Sequence, residues 1–267
     1  MTLDQLKVFK NKKVLITGIK GFKGSWLAAI MKIVGANVIG LSNDISSNSK
    51  HWKNLNLNIN NKNFSMCNYE KMNKLINFFK PNFIFHFAAQ PIVNNSFINP
   101  YSTIYNNYVS SLNLLEILRN YKKNKIVLVY CTSDKVYEND EKNSNFKETD
   151  SLGGEDPYSA SKACKEILFN SYQKSFFYNS NIYSASVRAG NIIGGGDWSR
   201  DRLFPDVIRS IENNAPLVLR NRDNTRPWLY ILDALNGYLS LSLKLYEEDK
   251  FFCTSWNFGP KESKNLT

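Results

Sequence analysis

A hydroxyl, a carboxylate and an amine occupy three consecutive positions, Ser133, Asp134 and Lys135, directly after the apolar run KIVLVYC. Ser and Asp are also ordinary turn residues, because their side chains hydrogen-bond to nearby backbone groups, so the cluster alone is compatible with a solvated turn. In a cleft the same three side chains would supply a hydrogen-bonding group, an acid and a base. This segment is therefore the first candidate for a catalytic site.

A second pair of reactive side chains, Tyr158 and Lys162, stands in the segment YSASK. A spacing of four residues puts the phenol and the ammonium on one face of a helix, one turn apart. Nearby cations favour the phenolate, so Lys162 together with the cationic ring of a bound cofactor would lower the pKa of Tyr158 and make it a useful base. The pattern is common by chance, and it gains weight here because it follows a nucleotide-binding turn and the Ser-bearing strand.

That nucleotide-binding turn is a G-x-x-G-x-x-G segment between the apolar run KVLIT and a predicted helix; the segment contains Gly18, Gly21, Phe22, Lys23 and Gly24. Glycines permit a tight turn and the close approach of a pyrophosphate, whose charge is met by backbone N–H groups and by the helix N-terminus. The context predicts a dinucleotide site, and the alternative is a merely tight strand-to-helix turn.

The next strand ends in LSNDI, which places Asp44 20 residues beyond Gly24. An acidic side chain at this distance can accept hydrogen bonds from the adenosine ribose hydroxyls, which favours NAD over its 2′-phosphorylated relative. The alternative is that Asp44 is an ordinary loop residue.

Short runs rich in Val and Ile alternate with longer amphipathic segments, which predicts an α/β fold with a doubly wound parallel sheet of the Rossmann type. The predicted strands are KVLIT, NVIGL, FIFHFA, KIVLVYC and IYSASVR. The predicted helices cover residues 22–34, 68–79, 101–121 and 157–178.

The regular alternation ends after Arg188, where the Gly-containing segment AGNIIGGGDWSRDRLFPD begins. Such loops commonly carry binding groups. We therefore predict an NAD-binding domain over residues 1–190, to which residues 225–259 return. Residues 191–224 and 260–267 would form part of a smaller substrate-binding lobe.

Composition restricts the possible partners. The 267 residues include 34 Lys+Arg and 23 Asp+Glu, but the lysines are scattered through Asn-rich segments, which favours a diphosphate ligand over nucleic acid. Four dispersed cysteines and two histidines show no metal-ligand spacing, so we expect no metal and a reduced, cytoplasmic protein. We also expect no membrane contact, because no run approaches the roughly 20 apolar residues of a membrane span.

The order of these motifs resembles the extended short-chain dehydrogenase/reductase family of nucleotide-sugar epimerases and dehydratases. The resemblance covers residues 13–259 and is carried by LITGIKGFKGSWLA, HFAAQPIVNNSFINP, TSDKVYEN, DPYSASKACKE, SVRAGNIIGGGDWSRDRLFPD and RNRDNTRPWLYILDAL. It implies NAD as the cofactor and a nucleotide-sugar substrate, CDP-glucose in the most similar subgroup. It also implies a homodimer formed through the helices near residues 101–121 and 157–178.

The resemblance assigns catalytic roles to the two clusters described above. In the implied reaction, transient oxidation at C4 by NAD permits elimination of water across C5 and C6. Tyr158 would take the proton of the sugar 4-hydroxyl, which Ser133 holds, while Lys162 binds the nicotinamide ribose. Asp134 would protonate the departing hydroxyl and Lys135 would take the C5 proton. Epimerases of the family usually lack this adjacent acid and base, so the pair favours a 4,6-dehydratase.

Further binding residues are implied by the same resemblance. The cofactor crevice would be lined by Ala88, Ala89, Gln90 and Asn107. Relatives usually place an Asp for the adenine amine where this chain has Cys67 or Asn68, so adenine recognition is expected to be weaker or to use the backbone.

On the substrate side, Gln90 and Ser133 would line the sugar pocket. Asn191, Arg202 and Arg226 match positions that hold the diphosphate, and an Arg fork suits phosphate geometry.

Length is the main departure from the pattern. Relatives continue for many tens of residues beyond SWNFGPKESKNLT, so we expect a substrate lobe that is incomplete, supplied by a second chain or damaged, with activity in doubt. Two alternatives stay open beside the dehydratase: another nucleotide-sugar dehydratase or 4-epimerase, and a noncatalytic NAD-binding fragment.

Overall fold

The computed structural model describes residues 2–43, 49–138, 145–219 and 226–260. Nine strands lie in this part of the chain: β1 (Lys13–Thr17), β2 (Asn37–Ser42), β3 (Asn60–Asn63), β4 (Phe83–His86), β5 (Ile126–Cys131), β6 (Ile182–Ala189), β7 (Asn191–Ile193), β8 (Trp228–Tyr230) and β9 (Ser255–Phe258).

The helices of the same residues are α1 (Leu3–Leu6), α2 (Phe22–Ile33), α3 (Ser49–Leu55), α4 (Tyr69–Phe79), α5 (Val93–Ile98), α6 (Pro100–Arg119), α7 (Pro157–Tyr172), α8 (Leu203–Glu212) and α9 (Ile231–Tyr246). A π-helical turn, Gln173–Phe177, continues α7.

Seven strands form one parallel sheet in the order β3-β2-β1-β4-β5-β6-β9. β1 pairs on one side with β2, where Lys13 lies opposite Asn37, and on the other with β4, where Val14 lies opposite Phe83. The order reverses at β1, and in open parallel sheets ligands bind in the crevice outside the carboxyl ends of the strands at such a switch point. The predicted doubly wound parallel sheet is confirmed.

The core consists of two apolar layers, one on each face of the sheet. In β1, Val14 and Ile16 pack in the layer that includes residues of α2 and α9, whereas Leu15 packs in the layer beneath α4, α6 and α7. Successive side chains of a strand point to opposite faces, so a strand covered on both sides needs a continuous apolar run. This explains why KVLIT and KIVLVYC consist mainly of apolar residues.

The structure also contains elements that the sequence did not predict: β3, α3, α5 and every element from β7 onward except the return of the chain to the sheet. β3 has the sequence NNKN and lies at the edge of the sheet, so it has no apolar run to reveal it. The fourth predicted helix is shorter than expected, because regular α-helix ends at Tyr172. β9 pairs with β6, and β7 pairs with β8 in a separate two-stranded sheet. The division into domains stays a prediction.

Across the described ranges, no helix is both long and apolar enough to cross a membrane. All four cysteines are free. No group of three or more His, Cys, Asp or Glu side chains within those ranges could hold a metal ion.

Candidate active site

The glycine turn leaves no room for side chains at two of its positions. Gly18 has φ of 71°, and a Cβ built there would lie 2.9 Å from the backbone nitrogen of Ala88. A Cβ at Gly24 would lie 2.2 Å from the carbonyl oxygen of Gly18. Gly21 is the N-cap residue of α2 and makes no side-chain hydrogen bond to the helix. It therefore leaves the first N–H groups of the helix available to a ligand in the crevice. This cradle fits the diphosphate of a dinucleotide.

The Ser-Asp-Lys segment lies at the carboxyl end of β5, two residues from the strand. Ser133 donates a hydrogen bond from Oγ to Oδ1 of Asp134 at 2.9 Å and accepts one from the backbone N–H of Lys135 at 3.2 Å. Burial raises the pKa of Asp134, although the hydrogen bond from Ser133 and the charges of Lys135 and Arg226 oppose this shift. The environment therefore shifts Asp134 toward its protonated form. The side chain of Lys135 is exposed.

Tyr158 and Lys162 lie in the first two turns of α7, which begins after Asp156 caps it by accepting a hydrogen bond from the Ser159 N–H. Both are almost fully buried, and Nζ of Lys162 is 5.6 Å from the centre of the Tyr158 ring. Burial lowers the pKa of Lys162 to about 8. The pair thus shares one helix face, as its spacing predicts.

The protein's own groups raise the pKa of Tyr158, whereas the lowered pKa expected from sequence combined Lys162 with the cationic ring of a cofactor. Burial raises the pKa of Tyr158 to about 12, and the charge of Asp134 adds to this, while a hydrogen bond with Ser133 and the charge of Arg202 oppose it. A buried phenol loses hydration on ionising, and that loss is the largest effect here. The hydrogen bond with Ser133 and the effect of the Asp134 charge indicate that both side chains lie near the Tyr158 phenol.

No role was predicted for Cys131, the last residue of β5. Its Sγ accepts a hydrogen bond from Nζ of Lys23 at 3.2 Å. Burial alone would raise the pKa of this thiol, but the charges of Lys23 and Lys162 outweigh burial and lower it. The side chain of Lys23 therefore extends from the glycine turn to the end of β5, alongside the catalytic segment.

Two predicted cofactor residues, Gln90 and Asn107, use their side-chain amides within the protein. Asn107 accepts from the backbone N–H of Gln90 at 2.7 Å and donates to Oγ of Ser161 at 2.9 Å. The side chain of Gln90 donates to the carbonyl of Ile92 and to Oγ1 of Thr103, each at 2.9 Å. Both residues hold the crevice in shape, and Ala88 and Ala89 lie half-buried between them and the glycine turn.

Two of the predicted diphosphate residues lie around the same site. Arg202 forms an ion pair with Asp197 at 2.8 Å, and Arg226 acts on Asp134 through its charge. A Cβ on Gly190 would lie 3.3 Å from Oδ2 of Asp134, so the chain leading into β7 passes directly beside this carboxyl. Asn191, the next residue, is the first of β7.

The adenosine end of the predicted site is described in part. Asp44 lies outside the described residues. Asn68 caps α4 by accepting a hydrogen bond from the backbone N–H of Lys71 at 2.9 Å. The Asn68 side chain thus has a helix-capping role.

A buried ion pair that the sequence did not predict lies next to the Ser-Asp-Lys segment. Glu166 is fully buried and pairs with Arg188 at 2.8 Å. Its carboxylate also accepts hydrogen bonds from Thr132, Ser186 and Ser255. Because Thr132 immediately precedes Ser133, Glu166 connects α7 to the catalytic segment of β5. An Arg inside the run IYSASVR was the one available signal, since a charge in a buried strand requires a partner.

Comparison with known proteins identifies the family. The model of the GDP-mannose 4,6 dehydratase family matches residues 15–257. The chain belongs to this family. Its membership confirms the resemblance carried by the glycine turn, the Ser-Asp-Lys segment and the Tyr/Lys pair.

Two of the proteins similar to this chain are 4,6-dehydratases. The CDP-glucose 4,6-dehydratase of Salmonella typhimurium is 40% identical over 266 residues, which are 97% of this chain and 74% of that protein. The dTDP-D-glucose 4,6-dehydratase of Dictyostelium discoideum is 30% identical over 85% of this chain, which spans only 54% of the relative.

Solved structures show the same fold at low identity. Epimerase Mth375 from Methanothermobacter thermautotrophicus has a TM-score of 0.83 at 24% identity, covering 96% of this chain and 74% of that one. The dTDP-glucose 4,6-dehydratase from Bacillus anthracis in complex with NAD has a TM-score of 0.75 at 22% identity, covering 94% and 76%. At this identity the likeness supports the fold alone.

Proposed function

We propose that the protein is a nucleotide-sugar 4,6-dehydratase that converts CDP-glucose to CDP-4-keto-6-deoxyglucose with loss of water, a lyase of deoxysugar biosynthesis that uses tightly bound NAD. The observation that carries the proposal is the carboxyl of Asp134, which burial favours in its protonated form and which lies in one site with Ser133 and Tyr158. The similarity to CDP-glucose 4,6-dehydratase supports CDP-glucose as the substrate.

The residues around the glycine turn fit NAD. The cradle formed by Gly18, Gly21 and Gly24 would receive the diphosphate, and Lys162 would bind the nicotinamide ribose. When bound, NAD would accept a hydride from C4 of the sugar and return it to C6. Lys23, which extends from the turn to Cys131, adds a positive charge between these two parts of the site.

The catalytic side chains would act in a defined order. Tyr158 takes the proton of the 4-hydroxyl, which Ser133 holds by a hydrogen bond. Asp134 then donates its proton to the departing 6-hydroxyl, a role that requires a carboxyl kept protonated by its surroundings. Lys135, in its neutral amine form, takes the C5 proton and later returns a proton to C5. Arg202 and Arg226 bind the diphosphate.

The alternative, a 4-epimerase, would use Tyr158 and Lys162 but would not need Asp134 as an acid. The free thiols are compatible with the cytoplasmic setting expected from sequence. Neither the epimerase alternative nor the noncatalytic alternative accounts for a carboxyl that burial shifts toward its protonated form and whose charge acts on Tyr158.

Homodimerisation is proposed on a face formed by α5, α6 and α7. Its exposed apolar side chains are Phe97, Ile98, Tyr101, Ile104, Tyr105 and Ile167. An apolar patch of this kind on the long helices is typical of a protein interface. Replacing Ile104 and Tyr105 by Lys should convert a dimer to a monomer in sedimentation velocity. Ile33, equally apolar and 84% exposed on α2, supplies the control substitution Ile33→Lys, which should leave the dimer intact.

The proposed reaction is tested by mass spectrometry of nucleotide sugars incubated with folded protein and NAD. We expect CDP-glucose to lose one water, and dTDP-glucose and UDP-glucose to react more slowly. An epimerase would leave the mass unchanged and would alter only the sugar configuration, which chromatography resolves. If a folded, NAD-bound preparation changed none of these compounds in mass or configuration, the enzymatic proposal would be wrong and the noncatalytic alternative would be favoured.

A further inference from the structure

A fully buried lysine, Lys165, lies three residues beyond Lys162 on α7 and has no place in the proposed chemistry. Its Nζ is 3.4 Å from Nε2 of His86 and 5.0 Å from the centre of the Tyr130 ring. No ion pair joins it to a carboxylate of the described residues. Burying an ammonium without an anionic partner is costly, so a fully buried lysine calls for an explanation.

The hydrogen bonds define the state of His86. As an ammonium, Nζ of Lys165 can only donate, which makes Nε2 of His86 the acceptor and assigns the proton to Nδ1. Nδ1 then donates to Oγ1 of Thr17 at 2.9 Å. Burial lowers the pKa of His86 well below its ordinary value, and the charges of Lys165 and Lys162 add to this, which is consistent with a neutral imidazole.

The hydrogen bonds that begin at Lys165 and His86 continue to the floor of the cofactor crevice. Oγ1 of Thr17 also accepts from the backbone N–H of Ala88 at 3.3 Å. Thr17 is the last residue of β1 and precedes Gly18, and Ala88 is the residue whose backbone packs against Gly18. A continuous buried chain of hydrogen bonds therefore runs from α7 through β4 to the glycine turn.

The charges near Lys165 explain why the amine can occupy this position. Burial, together with the charge of Lys162, lowers the pKa of Lys165 well below its ordinary value, whereas Cys131 and Glu166 act in the opposite direction. Either form of the amine can donate to Nε2 of His86, and the hydrogen bond from an ammonium is the stronger of the two.

We propose that Lys165 is a positioning residue: its hydrogen bond to His86 holds α7 against the glycine turn, so that Lys162 meets the nicotinamide ribose of a bound dinucleotide. This inference rests on the proposed use of NAD but not on the identity of the sugar. The side chain of Lys165 acts only through the placement of α7.

The test compares two ligands that differ in whether they reach Lys162. NADH carries the nicotinamide ribose, and ADP occupies only the adenosine and diphosphate part of the cradle. For Lys165→Met we expect NADH affinity to fall about tenfold, which corresponds to about 1.4 kcal/mol, and ADP affinity to stay unchanged. Lys165→Gln, whose amide can still donate to His86, should recover part of the NADH affinity. The control is Lys174→Met, an exposed position just beyond α7, which should leave both affinities unchanged.

Fluorescence titration of NADH and calorimetry of ADP give these affinities without any sugar. Equal affinities of Lys165→Met and the parent chain for NADH, or parallel losses for NADH and ADP, would refute the positioning role. If the parent chain bound neither ligand, the use of NAD would be wrong and this inference would fail with it. Binding of NADH without turnover of CDP-glucose would count against the proposed reaction alone, because the affinities still decide the role of Lys165.

Discussion

Replacing Glu166 by Gln should destabilise the protein strongly, because it leaves a buried guanidinium without its counter-charge. Arg188 is 2% exposed, pairs with Glu166 at 2.8 Å, and its Nε already has no hydrogen-bond partner. Breaking one side of a buried ion pair typically costs about 3 to 5 kcal/mol. Folded domains are stable by only about 5 to 15 kcal/mol, so Glu166→Gln should remove a large fraction of the stability.

Urea denaturation at pH 7 measures this loss, and a double substitution separates the charge from the packing. Glu166→Gln with Arg188→Met removes both charges, and since apolar replacement of a buried ion pair is often close to neutral, it should be more stable than Glu166→Gln alone. The control is Glu116→Gln, which breaks the partly exposed pair with Arg119 and should cost no more than about 1 kcal/mol.

The same substitution has a consequence for the active site. Glu166 accepts from Oγ1 of Thr132, the residue before Ser133. Loss of that anchor should lower turnover even at temperatures where the variant is folded. If Glu166→Gln cost less than about 1 kcal/mol, or if the double variant were no more stable than the single one, the inferred importance of the buried charge pair would be wrong.

Other predictions address the cradle, the reaction and the pH dependence. Gly24→Ala should abolish NAD binding and destabilise the fold by about 2 kcal/mol or more, because its Cβ would meet backbone atoms. The control is Gly195→Ala, because no atom lies within 4 Å of a Cβ built there. This control should change neither NAD binding nor the melting temperature. Tyr158→Phe should abolish reduction of the cofactor by CDP-glucose at 340 nm, and Asp134→Asn should permit that reduction but stall loss of water; parental turnover in both would contradict the assigned roles. Lys162 has a folded pKa of about 8 against about 10.4 unfolded, so the unfolded chain binds more protons between these values and stability should rise with pH across that window. The Lys162→Met variant should lose this rise in urea midpoints, and an unchanged slope would show that other groups cause it.

Local sequence patterns were sufficient to predict most of the central sheet and the candidate site. KVLIT, NVIGL and KIVLVYC are mainly apolar because their strands are covered on both faces, and these segments and IYSASVR each form a strand at nearly the predicted bounds. The glycine turn and the Tyr/Lys spacing are equally local, since a tight turn and one helical turn each involve only a few residues. The polar edge strand β3 lacks such a pattern and was missed for that reason, whereas α8 and α9 have apolar residues at helical spacing and were predictable from it.

The tertiary structure decided how the reactive groups are held and how they are charged. Glu166 with Arg188, Lys165 with His86, and Lys23 with Cys131 are pairs distant in the chain, and no spacing rule connects them. The direction of the pKa shift of Tyr158 was also beyond the sequence, because it depends on how completely the fold removes the phenol from water. Residue types and order thus determined which groups are present at the site, whereas burial and long-range contacts determined their protonation and their positions.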